Sequence, residues 1–253
     1  MRIDLNSDLG ESFGPWTMGQ DEALMPSITS ANIACGFHAG DPTVMRRTVA
    51  LARRHGVAIG AHPGFPDLAG FGRRAMQASP AEVEDFVIYQ VGALAGIAQA
   101  EGLTLRHVKP HGALYLVACR DHAIAGAIAR AVAAIDRSLI LFGLSGSALV
   151  EAGRAAGLRV AVEGFADRAY EPDGTLASRQ RPGSVIHDPA AVVARAVRMV
   201  RDREVVATDG AVIRMEIDTL CLHGDTTGAA GLAVSIRRGL EEAGVTIAAV
   251  VRA

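Results

Sequence analysis

The sequence predicts an α/β protein in which strand–helix units close into a barrel, as one domain over residues 1–253. Three observations carry this expectation. Short apolar runs alternate with longer amphipathic stretches from end to end, the pattern of parallel strands joined by helical crossovers. The helical stretches open with explicit capping signals. No linker, low-complexity tract or composition break divides the chain. Seven or eight such units favour a barrel over an open doubly wound sheet. Closure itself is not written in a sequence, so the open sheet stays as the alternative.

Strands are expected over residues 2–6, 29–35, 57–61, 104–109, 139–143, 159–163 and 217–222, with a late run at 245–251. Asp41-Pro42 opens the helix after the second strand, as an N-cap with proline in the first turn, and Asp188-Pro189 repeats the device. Ser79-Pro80-Ala81-Glu82 is a capping box, and the helix behind it sets Val83, Phe86, Val87, Val91, Leu94 and Ile97 along one stripe. Gly102, Gly157 and Gly244 stand where helices should end. Residues 204–215 read as an inserted hairpin turning at Asp209-Gly210.

With 253 residues, 50% hydrophobic and 21% charged, the chain can bury a full core without a disulfide or a structural metal. A net charge of −2 supplies no basic field for nucleic acid or an anionic membrane surface, so neither is expected as a partner. The first residues carry acids where a signal peptide needs an apolar run, and no stretch is long enough to span a bilayer. The three cysteines are widely spaced, and the expected compartment is the cytoplasm. Of 25 basic residues only Lys109 is a lysine, and Pro110 follows it, which excludes a Gly-Lys-Ser/Thr phosphate loop.

Polar and ionisable residues collect where strands end, the place where barrel enzymes gather catalytic groups. Asp4, Asn6 and Asp8 share one face of the first strand, and Glu11 follows them. Asn32, Cys35 and His38 belong to the second strand and its loop, His62 to the third, and Lys109 and His111 to the fourth. Glu163, Asp167 and Arg168 follow the sixth, and His223 with Asp225 the last. His55, His107, His122 and His187 read as structural or surface residues. Several picks have plainer readings beside the functional one. Asp41 reads as a helix cap before a catalyst, and Cys35 as a small apolar residue. Asp4 either bonds a neighbouring loop or takes a direct part. Arg73-Arg74 is a solvated pair or an anion site, and Asp167-Arg168 an ion pair or a substrate contact. Lys109 stands out: burial can lower a lysine into a titrating range, and its compact charge suits an oxyanion or phosphoryl oxygen.

Several long motifs then act together. Asp4-Leu-Asn6-x-Asp8-x-Gly10-Glu11, Ala31-Asn32-Ile-Ala-Cys35-Gly36-x-His38-Ala-Gly40-Asp41 and Gly60-Ala-His62-Pro63-Gly64-Phe-Pro66-Asp67 with Gly70-Phe-Gly72-Arg73-Arg74 lie in the first third. Val108-Lys109-Pro110-His111-Gly112-Ala-Leu-Tyr115, Glu163-x-Phe-Ala-Asp167-Arg168-x-Tyr170, Leu176-x-Ser178-Arg179 and His223-Gly224-Asp225 continue the series. Together they resemble the LamB/YcsF family from the N-terminus almost to the end. The resemblance implies a distorted, seven-stranded barrel of the glycoside hydrolase/deacetylase type. It implies an ATP-dependent 5-oxoprolinase activity, opening the lactam of 5-oxo-L-proline to L-glutamate, with ATP and Mg and with partner subunits B and C.

A phosphorylated lactam oxygen would make the ring carbon open to water, a route that needs cations, a base and an acid. On that reading Lys109 and Arg73 stabilise the phosphoryl group or oxyanion, Asp8 or Glu11 is the base, and His38, His62 or His111 is an acid or base. Arg168 or Arg179 holds the substrate carboxylate, with Asn6, Asn32, Asp167, His223 and Asp225 as further substrate positions. One alternative is a metal-dependent deacetylase or amidohydrolase acting without ATP, with Asp8, His38 and His62 as ligands. Another is a non-catalytic carrier protein within a lactam-cleaving complex, against which the dense polar strand ends argue.

Overall fold

The computed structural model describes residues 1–179, 181–222 and 228–250. Its chain lays down β1 (Arg2–Leu9), a short α1 (Asp21–Leu24), β2 (Ser30–Ala34), α2 (Pro42–His55), β3 (Ala58–His62), α3 (Pro80–Ala100) and β4 (His107–Val108). Then come α4 (Gly112–Ala118), α5 (His122–Ile135), β5 (Ile140–Leu144), α6 (Ala148–Ala155), β6 (Arg159–Phe165) and α7 (Pro189–Arg201). The antiparallel hairpin of β7 (Glu204–Val206) and β8 (Val212–Arg214) precedes β9 (Thr219–Leu222), α8 (Ala229–Glu242) and β10 (Thr246–Ile247).

The strands β1 to β6 pair in sequence order, all parallel, as helical crossovers require. Closure comes from β9, which pairs in parallel with both β6 and β1. Thr219 thereby stands opposite Glu163 on one side and Asp4 on the other. Seven strands close the ring, so the barrel holds and the open sheet falls. Among the described residues β10 pairs only with Arg2 and Ile3, at the start of β1, and so does not complete an eighth stave; position 251 of the late run lies outside the described residues.

The local signals act as the sequence predicts. The Asp41 carboxylate accepts from the Thr43 and Val44 N–H groups at 2.8 and 3.0 Å, so it is a cap, and Asp188 caps α7 in the same way. Both halves of the Ser79–Glu82 capping box are formed. Within α3, Val83, Val87, Val91 and Leu94 are fully buried while Phe86 and Ile97 are partly so. Buried Gln90 accepts from the Gly64 N–H and donates to the Gly64 carbonyl, both at 2.9 Å, tying down the loop after β3. The ladder of β4 is short because Pro110 offers no N–H, although the Lys109 N–H still donates to Ala61 at 2.9 Å. Among the described residues no helix is long and apolar enough to cross a membrane.

Alternation along β1 divides the molecule. Ile3, Leu5 and Leu9 are buried beneath the helices, while Asp4, Asn6 and Asp8 make polar contacts with other strands. The barrel interior is therefore a polar column, where an ordinary barrel of this kind stacks branched apolar side chains.

Candidate active site

The column is built in layers. Lowest, the Asp4 carboxylate accepts from the hydroxyls of Thr29, Ser30 and Thr219 at 2.6, 2.7 and 2.5 Å, and burial pushes its carboxyl above the usual range. That environment makes Asp4 a strand-pairing residue of the barrel base. Above it, Asn32 donates to Asn6 at 2.7 Å and pairs with His107 at 2.7 Å, while Asn6 donates to Glu163 at 3.0 Å. His107 fits because its neighbour in register is Gly60, where any Cβ would come within 2.2 Å of the imidazole. Burial, with the charge of Lys109 after it, lowers His107 to about 3, so it is a neutral structural histidine.

Lys109 occupies the next layer. Its Nζ reaches Glu163 at 2.9 Å, Asp8 at 3.0 Å, Cys221 Sγ at 3.0 Å and Asn6 at 3.2 Å. Tyr115 donates to the second oxygen of Glu163 at 2.7 Å, and the Phe165 ring lies 5.5 Å from the ammonium. Burial opposes the lysine charge, but the surrounding negative groups, Asp8 first, outweigh it and hold the ammonium well above its ordinary value. The expectation that burial brings Lys109 into a titrating range is thus overturned. Lys109 is a fixed cation.

Beside it stand three histidines and Glu11. His62 Nδ1 lies 2.7 Å from the Lys109 carbonyl, and His111 Nε2 lies 2.8 Å from the Phe71 carbonyl. Carbonyls only accept, so both of these nitrogens carry hydrogen. His62 Nε2 and His111 Nδ1 then face each other across 3.0 Å, with Asp8 3.4 Å from His62 and Glu11 3.6 Å from His111. His38 stacks flat on His111, ring centroids 3.7 Å apart, and sits 3.8 Å from Glu11. Burial lowers His38 well below the usual histidine value and His111 to about 3. Both ring nitrogens of His38 are buried and make no hydrogen bond among the described residues. The stack depends on Gly72, whose φ is +61° and whose Cβ would lie 2.7 Å from His38 Cβ and 2.8 Å from His111 Cδ2.

A cavity of about 560 Å³ opens onto this assembly, lined by Asp8, Glu11, His62, Lys109 and His111 together with Arg73, Arg168, Arg179, Tyr115 and Phe165. Its size is that of a small-molecule site. Buried Arg168 is held by the carbonyls of Ala177 and Ser184 at 2.6 and 3.3 Å, and burial, then Arg179, lowers it to about 10. Arg73 and Arg179 are exposed, and the Arg73 guanidinium lies 4.9 Å from the centre of the Phe71 ring. Arg120 also lines the cavity, so four guanidinium groups and one ammonium face Asp8 and Glu11 across it, a cationic excess that suits an anionic ligand.

The model of the LamB/YcsF family matches residues 3–253. The chain belongs to the LamB/YcsF family. It is 61% identical over 247 residues to the A subunit of 5-oxoprolinase from Methylococcus capsulatus, covering 98% of this chain and 95% of that one. It is 57% identical to the A subunit of 5-oxoprolinase from Chloroflexus aggregans, covering 98% of each. The crystal structure of a lactam utilization protein from Thermus thermophilus superimposes with a TM-score of 0.95 at 52% identity, covering 99% of this chain and 100% of that one.

In this LamB/YcsF chain the cavity brings together eight of the positions picked from sequence: Asp8, Glu11, His62, Arg73, Lys109, His111, Arg168 and Arg179. His38 lies behind the wall, against His111. Asn6 and Asn32 are fully buried in the layer below and orient Glu163, Asp8 and His107. Asp167 is buried outside the lining, its carbonyl accepting from Ile186 at 2.8 Å. His223 and Asp225 lie outside the described residues. The neighbours Arg73 and Arg74 part company, because Arg74 pairs with Asp67. Cys35 is buried, its thiol pushed up to about 12 by burial, and packs as a small apolar residue. Sequence reasoning gave no role to Glu163, Tyr115 or Cys221, all of which surround Lys109 or its carboxylate. Glu163 had one usable signal: it alternates with Ala161 and Phe165 on a strand otherwise apolar at those positions.

Proposed function

We propose that this chain is the A subunit of an ATP-dependent 5-oxoprolinase, a single-domain cytoplasmic protein that works with subunits B and C. It opens the lactam of 5-oxo-L-proline to L-glutamate, with ATP supplied as its magnesium complex. The observation that carries this reading is the near-full-length identity of 57% and 61% with two relatives that are A subunits of 5-oxoprolinase. The site supplies matching chemistry. A lactam is a poor electrophile, and transfer of the γ-phosphoryl group to its oxygen turns that oxygen into part of a leaving group. One water then adds to the ring carbon, the C–N bond breaks and the nitrogen takes a proton, leaving an acyl phosphate that a second water hydrolyses to the free carboxylate and phosphate.

On this reading Lys109 stabilises the charge that develops on the phosphoryl or lactam oxygen, and the negative groups around it, which favour its charged form, support that role. Arg73, Arg168 and Arg179 suit the substrate carboxylate and the phosphates. Asp8 accepts from Lys109 and Asn32 through one oxygen and turns the other toward His62, which suits it to take a proton from water. The test is 5-oxoproline-dependent release of ADP together with formation of glutamate, measured for the chain alone and with subunits B and C. Coupled turnover by the complex is expected. Lactam-independent ATP hydrolysis, or none, would sink the reading. ATP-independent, chelator-sensitive amide hydrolysis by the chain alone would replace it with the deacetylase reading.

A further inference from the structure

We propose that Glu11, His38, His62 and His111 form a binding site for one divalent transition-metal ion of the zinc class, open toward the cavity. One donor atom from each of the four residues can be chosen so that all lie within 4.8 Å of one another, and all four residues are buried. Donors about 2.0–2.1 Å from a shared tetrahedral ion stand roughly 3.3 Å apart. The separations here are 3.0 Å from His62 Nε2 to His111 Nδ1, 3.6 Å from Glu11 to His111 and 3.8 Å from Glu11 to His38. These are three of the six separations, and none of the six exceeds 4.8 Å, so the four donors need only draw inward to share one ion.

The hydrogen-bond partners of the rings point the same way. A ligating histidine almost always donates its other N–H to a carbonyl or carboxylate, which fixes the tautomer. His62 does so to the Lys109 carbonyl and His111 to the Phe71 carbonyl, leaving the two lone pairs converging on one point. A single shared proton would satisfy that pair as well, but it would leave His38 unanswered. His38 is 1% exposed, stacks flat on His111 with its Nε2 3.8 Å from Glu11, and has no hydrogen bond on either nitrogen among the described residues, so a turn of its ring would bring a lone pair to the ion. A buried polar group so placed carries a cost that a metal–nitrogen bond removes.

Three nitrogens and one carboxylate oxygen suit zinc, cobalt or iron, whereas magnesium prefers oxygen and water. The ion is therefore distinct from any magnesium carried by ATP. Glu11, His62 and His111 line the cavity, so a substrate oxygen or a water can complete the coordination from that side. Asp8, 3.4 Å from His62, stands beside the cluster and is not one of its four members. The inference stands on the cluster alone and does not depend on the lactam reading.

The test is binding, not activity. The full chain, stripped by chelator and shown by circular dichroism to remain folded, is titrated with Co(II) and then Zn(II), with Mg(II) as the control. The expected result is one ion per chain, visible Co(II) bands of a four- or five-coordinate site, displacement by Zn(II) and none by Mg(II). His38→Ala and Glu11→Gln should each weaken binding by more than about 100-fold, the upper figure for losing merely an outer-shell partner. Asp8→Asn should weaken binding less than either of these. If His38→Ala does not fold, Glu11→Gln alone carries the result. A folded wild-type chain that takes up no stoichiometric ion overturns the proposal. So does undiminished binding in the variants, or a site lost with Asp8→Asn and kept with Glu11→Gln.

Discussion

The lysine side of the barrel mouth and the histidine side handle buried polarity in opposite ways. Lys109 meets Glu163, Asp8, Asn6 and Cys221, and its carboxylate partner Glu163 is itself bonded to Asn6 and Tyr115. His38, against the neighbouring wall, has no hydrogen bond on either ring nitrogen among the described residues, and His62 and His111 direct lone pairs at each other. A network satisfied within the protein holds its charge and geometry before any ligand arrives, which is what an electrostatic catalyst needs. A cluster with donors to spare is shaped to receive something. The two regions share Asp8, which contacts Lys109 through one oxygen and His62 through the other.

The largest effect should come from breaking the satisfied side. Lys109→Met leaves half-buried Asp8 and fully buried Glu163 near one another with no cation between them. Loss of one partner of a buried ion pair costs about 3–5 kcal/mol, so urea unfolding should show a shift of that order. Turnover of the complex should vanish. Adding Glu163→Gln removes one of the stranded charges and should restore much of the stability while restoring no turnover. Near-normal 5-oxoproline-dependent ATP hydrolysis in either variant would take Lys109 out of the mechanism.

A smaller change trims the same network. Tyr115→Phe removes the hydroxyl that donates to Glu163 at 2.7 Å and little else. Hydrogen bonds to charged groups contribute about 1.5–3 kcal/mol, and a loss in that range is expected in thermal or urea unfolding. Because the Tyr115 hydroxyl bonds Glu163 alone, and the backbone bond from the Tyr115 N–H to the His111 carbonyl at 3.2 Å survives the change, cobalt affinity should be unchanged. A parallel fall in metal affinity would mean that the two sides are one coupled unit.

How much of this is legible in the sequence follows from the range of each interaction. The caps at Asp41, Ser79 and Asp188 are settled within four residues of chain, and their signals name the helices correctly. The hairpin of β7 and β8 turns at Asp209-Gly210 for the same local reason. The partnership of Lys109 with Glu163 exists only once β4 and β6 stand in one closed ring, and no motif spacing encodes it. The lysine shift runs against the sequence expectation for that reason: burial alone lowers it, and the carboxylates that reverse the sign come from other strands. The histidine cluster is half legible. The strand-end rule finds His38, His62 and His111 and groups Asp8 with His38 and His62; the fold gathers Glu11 and His111 with those two histidines and keeps Asp8 3.4 Å from His62. Glu11 follows β1 and His111 is the N-cap residue of α4, positions where direction cannot be read from alternation.

The smallest expected effect on stability belongs to the open side, and it has the opposite sense. His38→Leu replaces a buried imidazole that makes no hydrogen bond among the described residues with an apolar side chain that still packs against His111. Replacing an unsatisfied buried polar group is close to neutral or stabilising, so the metal-free variant should unfold within about 1 kcal/mol of the metal-free parent. Lys109→Met has similar burial and the opposite consequence, because Lys109 is answered by its neighbours and His38 makes no hydrogen bond among the described residues. Zinc should then separate the two proteins, raising the unfolding temperature of the parent and leaving His38→Leu where it was, since a ligand stabilises only the folded state that binds it. A large destabilisation of metal-free His38→Leu would show that His38 is already satisfied within the protein, and the distinction between the two sides would collapse.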